Sequence, residues 1–106
     1  MNELQKLIAL RGLTAIEIAQ ATGANYHSVQ KTIKGVRIIQ CVQPVIAEYL
    51  GLDESRTWGP GSRHYLRQLI AEEIDRQSAA DRARLRELYL RDNTGRVPKN
   101  RRSNNA

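Results

Sequence analysis

The stretch LTAIEIAQATGANYHSVQKTIKG, residues 13–35, decides how this chain folds. It reads as two short helices joined by a tight turn. Thr14-Ala15-Ile16-Glu17 is a capping box: the Thr14 hydroxyl accepts from the Glu17 N–H, and the Glu17 carboxylate reaches back to the Thr14 N–H. Leu13 and Ile18 flank it as a hydrophobic staple. Gly23 ends the first helix where the backbone must turn to positive φ, which is costly for a residue with a Cβ. Asn25 caps a second helix that runs to Gly35, and small Ala19 lets the two helices approach closely.

The faces of the second helix differ. Val29 and Ile33, with Thr32 beside them, belong to the core, whereas His27, Gln30, Lys31 and Lys34 fall at i, i+3, i+4 and i+7 on the opposite stripe. That stripe carries hydrogen-bond donors and no carboxylate. From Ile18 to Ala47 there is no Asp or Glu, while Lys31, Lys34 and Arg37 lie within the interval. A polyanion is the natural partner of such a surface.

Working outward, Asn2 to Arg11 reads as a first helix with Leu4, Leu7 and Ile8 at helical spacing and Gly12 as its stop. Its expected role is to cover Ile18, Ala19, Val29 and Ile33, because a pair of helices cannot bury its apolar faces alone. Val36 to Gln40 is a linker. Pro44 lacks an N–H and is tolerated only in a first turn, so the next helix starts within Cys41 to Gln43 and ends at Leu50. Trp58-Gly59-Pro60-Gly61 signals a turn, with Trp58 expected as a plug over the core edge. Ser62 to Gln77 forms a fifth helix with the stripe Leu66, Leu69, Ile70 and Ile74. Ser78 begins a sixth through Leu85 and Leu88 to Arg91, unless 62–91 is one continuous helix.

Beyond that, 92–106 is polar, lacks apolar periodicity and is expected to be disordered when free. Arg96, Lys99, Arg101 and Arg102 against Asp92 give it +3, half of the chain's formal net charge of +6. It either tracks phosphates or serves as a solubilising tail. The expected organisation is thus an all-α core over 1–60, helices over 61–91 and a flexible basic tail over 92–106.

At 106 residues and 41% hydrophobic content the chain can bury one modest core. The lone Cys41 excludes an internal disulfide, and it forms no familiar metal-ligand spacing with His27 and His64. No metal and no cofactor is expected. The amino terminus is too interrupted by charge for a signal peptide, and no apolar run approaches a membrane span, so a soluble protein of a reducing cytoplasm is expected.

The pattern Ile18-Ala19, Gly23-Ala24, Val29, Ile33 and Gly35, followed by an apolar helix ending Ala47-Glu48-Tyr49-Leu50-Gly51-Leu52, resembles the lambda-repressor and Cro-like helix-turn-helix proteins over about residues 1–58. Two positions depart from the family: Ala15 stands where it often carries Gln, and Pro44 falls inside its fourth helix. The resemblance implies a core of four to five helices and a sequence-specific regulator of double-stranded DNA. The expected type is a small phage- or prophage-type repressor that binds an inverted repeat as a homodimer.

Tyr26 and His27 match the positions where the family reads base edges; for Tyr26, packing on the first helical turn is equally open. Gln30 suits adenine and Lys31 suits guanine one turn later. Thr14, Asn25, Thr32, Lys34 and Arg37 are the expected phosphate contacts. The stripes after Trp58 are expected to form the homodimer contact, with folding back on the core as the alternative.

The rival functions are fewer. No phosphate-cradling glycine loop, nucleophile elbow or metal cluster suggests an enzyme. With 5% aromatic residues and no Phe, a single-strand stacking platform is disfavoured. The alternative reading is an antitoxin-like or adaptor protein whose carboxy-terminal helices bind a protein partner.

Overall fold

The computed structural model describes residues 1–90, which form seven helices and no strand: α1 (Glu3–Leu10), α2 (Ala15–Thr22), α3 (Tyr26–Lys34), α4 (Gln43–Leu50), α5 (Glu54–Trp58), α6 (Ser62–Asp75) and α7 (Ala79–Tyr89). The basic tail expected over 92–106 lies outside the described residues. Five of the helix starts have a polar side chain that accepts a backbone N–H of the first turn: Asn2, Thr14, Asn25, Asp53 and Ser78. Such caps satisfy donors that a helix leaves orphaned. The start of α4 has no side-chain cap; Pro44 sits in its first turn as expected, where a missing N–H costs nothing.

Packing runs through one cluster. Leu7, Ile18, Val29, Ile46, Ile70 and Ile74 are wholly buried, and Leu4, Ile8, Ala19, Ile33, Leu50 and Leu66 join them. These residues come from α1, α2, α3, α4 and α6. α1 packs mainly on α6 and also touches α3, while α2 packs on α3 and α4. The stripe Leu66, Ile70 and Ile74 is therefore buried within the chain itself and roofs α1. α7 follows α6 as the second arm of a helical hairpin, with Leu85 as its buried residue.

Several long-range polar contacts stitch the helices. Arg11 donates from Nη1 to the Leu50 carbonyl at 2.6 Å and from Nε to Glu73 at 3.3 Å, tying the ends of α1 and α4 to α6. Tyr65 Oη accepts from the Asp53 N–H at 3.0 Å. Trp58 donates its indole N–H to the Gln43 carbonyl at 3.1 Å and is half-buried against the core, the plug expected of it.

Two boundaries differ from the sequence reading or resolve it. The segment after Leu52 contains a helix, α5, where only a turn was expected. Asp53 starts it, accepting from Ser55 Oγ at 2.7 Å and from the Arg56 N–H at 3.3 Å, and these bonds hold its carboxyl below the usual range. The interval 62–90 is two helices. Arg76 closes α6, and the Ser78 hydroxyl both accepts from the Asp81 N–H and donates to the Asp81 carboxylate, starting α7.

Because Ile70 shares a core with α1, Ile70→Ala should destabilise the whole unit by about 2–5 kcal/mol in one cooperative transition. Thermal melts followed by amide protection in α3 check this; unchanged protection in α3 would mean that α6 is an independent appendage.

Candidate nucleic-acid interface

The α2–α3 pair is built from local rules. Glu17 N–H donates to Thr14 Oγ1 at 3.2 Å, and the Glu17 carboxylate accepts from the Thr14 N–H at 2.9 Å, completing the capping box. α2 ends at Gly23, whose φ of 77° lies in the left-handed region and whose N–H donates to the Ala19 carbonyl at 2.9 Å. Thr22 Oγ1 donates to the Ile18 carbonyl at 2.7 Å and accepts from the Ala24 N–H at 3.3 Å, which closes the corner. Asn25 Oδ1 accepts from the Ser28 N–H at 3.1 Å and starts α3. Only Ala24 separates the two caps, so the connection has little freedom.

α3 turns Val29, Thr32 and Ile33 inward, where they are buried. His27, Lys31 and Lys34 are exposed on the other side, and Gln30 is half-buried at the shoulder between them. The outward stripe read from spacing is thus present for these four residues. Tyr26 is half-buried against the core, and its ring meets that of His27 edge-on with centroids 5.3 Å apart. Tyr26 therefore packs against the core while its ring edge meets the exposed His27. Thr14, Ala15, Gln30 and Lys34 line one shallow cleft together with Gln5 and Leu13. That cleft gathers three of the expected contact residues, from two helices, on one surface.

The expected phosphate contacts fare differently. Lys34 and Arg37 are exposed. Asn25 is exposed with its Oδ1 used in the cap. The Thr14 hydroxyl accepts from the Glu17 N–H and donates to the Glu17 carboxylate at 3.2 Å, so a phosphate there would face the chain's own negative charge. Thr32 is a correction: it is 3% exposed and donates from Oγ1 to the Ser28 carbonyl at 2.8 Å. Threonine suits this buried position because its hydroxyl is satisfied by the preceding turn.

Sequence reasoning missed Val36 and Ile38, which flank Arg37 and stand 72% and 77% exposed. It also missed Asn2, whose Nδ2 donates to the Ile33 carbonyl at 2.8 Å. A contact across 31 residues leaves no local signal.

Charge is segregated. Among the described residues, Lys31, Lys34 and Arg37 have no carboxylate partner, consistent with the acid-free interval that contains them. Several acids elsewhere are engaged. Glu3 meets Lys6, Arg63 and Arg67; Glu73 meets Arg11 and Arg76; Asp75 meets Arg86; Asp81 meets Arg84. Positive charge without ion-pair partners is thus concentrated along α3 and the loop after it.

Among the described residues, no three His, Cys, Asp or Glu side chains gather as a metal site would require, and no helix is long and apolar enough to cross a membrane. No family model, curated protein or solved structure matches the chain.

Thr32→Val should leave the affinity for any polyanion unchanged and alter stability by no more than about 1 kcal/mol, because the hydroxyl's partner is an intrahelical carbonyl. Parallel duplex titrations and melts test this; a selective loss of binding would restore Thr32 as a contact.

Proposed function

We propose that this chain is a sequence-specific double-stranded DNA-binding regulator built on a lambda-repressor-like helix-turn-helix, with α3 as the recognition helix. The carrying observation is the outward stripe of exposed His27, Lys31 and Lys34 with half-buried Gln30 on a helix whose inner face is buried, within a stretch of sequence, 18–47, that contains no acid. A B-DNA major groove admits an α-helix and presents donor and acceptor patterns that such side chains read. Gln30 is suited to adenine N6 and N7, and Lys31 to guanine O6 and N7. His27 and Tyr26 reach bases or sugars near the amino end of α3. Lys34 and Arg37 supply phosphate contacts that fix register.

The biological form proposed is a homodimer on an inverted repeat, with the two recognition helices about 34 Å apart on one face of the duplex. Occupying such a site near a promoter blocks polymerase, so repression is the expected outcome, in the manner of a small phage or prophage repressor. The apolar residues that suggested a dimer surface after Trp58 are mostly covered by the chain itself: Leu66, Ile70, Ile74 and Leu85 are buried, whereas Leu88 is 60% exposed. The case for a dimer accordingly rests on the symmetry of such operators. The same burial removes the main support for a toxin- or partner-binding role of these helices.

Selection of duplexes from a random pool should return a preferred sequence with twofold symmetry. On that sequence Gln30→Ala or Lys31→Ala should cost about 1–3 kcal/mol and relax preference at one base pair. Lys34→Ala should weaken binding to all duplexes and reduce the salt slope by about one counterion. Equal losses on selected and random DNA for Gln30→Ala and Lys31→Ala would refute their base-reading role, and an unchanged salt slope would remove Lys34 from the phosphate contacts.

A further inference from the structure

Asn2 occupies a position that its role as a helix cap does not exhaust. Its backbone N–H donates to Gln5 Oε1 at 2.8 Å, its Oδ1 accepts from the Gln5 N–H at 2.8 Å, and its carbonyl accepts from the Lys6 N–H at 3.1 Å. All three bonds belong to the first turn of α1: two hold the Asn2 backbone, and the one to Oδ1 holds its side-chain amide. The remaining group, Nδ2, then points across to α3 and donates to the Ile33 carbonyl. That carbonyl is among the last four of α3, which have no intrahelical donor. Gly35 N–H serves Lys31 and Thr32, and Val36 N–H serves Lys31; Ile33 is served by Asn2.

The two ends of α3 are consequently held by different parts of the molecule. Its amino end is set by the Gly23 corner and Asn25. Its carboxyl end is set by α1, which is itself clamped to α6 through the core and through Glu3 with Arg67. Lys34 follows Ile33 directly and Gln30 lies one turn before it, so any swing of this end displaces the side chains proposed to touch DNA. Base-edge hydrogen bonds tolerate little displacement, whereas a lysine on a flexible stem follows a phosphate.

We infer that Asn2 is a positioning residue: by holding the carboxyl end of α3 against α1 it sets the helix's tilt, and so governs discrimination between duplex sequences rather than attraction to phosphate. This rests on the DNA-binding reading above. It assigns to a residue outside the contact surface a part in specificity.

The two roles of Asn2 can be separated by Asn2→Ser. Serine is an equally good N-cap, so the Gln5 N–H keeps its acceptor, but the side chain is too short to reach Ile33. Without DNA, amide hydrogen exchange at Gly35 and Val36 should quicken about five-fold while Gln5 and Lys6 exchange as in the parent chain; Asn2→Ala should quicken both sets. With DNA, the ratio of affinity for the selected duplex to that for random duplex should fall about five-fold or more in Asn2→Ser, at unchanged random-duplex affinity and salt slope. Unchanged exchange at Gly35 and Val36 overturns the brace. Faster exchange there with an unchanged affinity ratio overturns the role in discrimination. A parent chain that prefers no duplex defeats the DNA reading and the discriminatory role together, while the exchange measurement still decides the brace by itself.

Discussion

A helix of nine residues does not persist in water alone; the cost of its first turn exceeds what so few hydrogen bonds return. α3 exists because Val29, Thr32 and Ile33 are buried against α1, α2 and the core beyond them. The same burial determines which residues must face outward. Once the inner three are fixed, a period of 3.6 residues leaves His27, Lys31 and Lys34 no direction but solvent. Fold and surface chemistry are therefore one decision, taken at the inner face of a single short helix.

Electrostatics follows the same division of labour. Around α1, α6 and α7, carboxylates and guanidinium groups neutralise one another in short ion pairs, several of them exposed and individually weak. Around α3 the cations Lys31, Lys34 and Arg37 form no such pairs. The segregation, more than the net charge, gives the chain one basic side. Two acids border that side: Glu17 is turned back on its own helix start by Thr14, and Glu3, which lines the same cavity as Arg37, is paired with Lys6 and Arg67.

Much of this was legible in the residues. Caps are local, so Thr14 with Glu17, Asn25 and Ser78 could be read from neighbours three positions away, and the helix starts fall where those residues stand. Periodicity separated the faces of α3 and of α6. What escaped was of two kinds. Contacts between remote positions, such as Asn2 with Ile33 or Arg11 with Leu50 and Glu73, have no sequence signature. Composition misled elsewhere: the turn residues of 58–61 masked the short helix begun by Asp53, and the hydroxyl of Thr32 suggested a surface role for a side chain that satisfies itself inside the core. The destination of the α6 stripe was also undetermined, because an apolar face does not state whether its cover lies in the same molecule.

That cover proves to be α1, and the consequence concerns the order of events in time. The two helices that close the core lie about sixty residues apart along the chain, so the loop between them must be ordered before either is rewarded. As the polypeptide leaves the ribosome, α1 through α4 emerge before α6, the main packing partner of α1, has been made. Until synthesis has passed that point, the apolar side of α1 that α6 covers lacks its main partner.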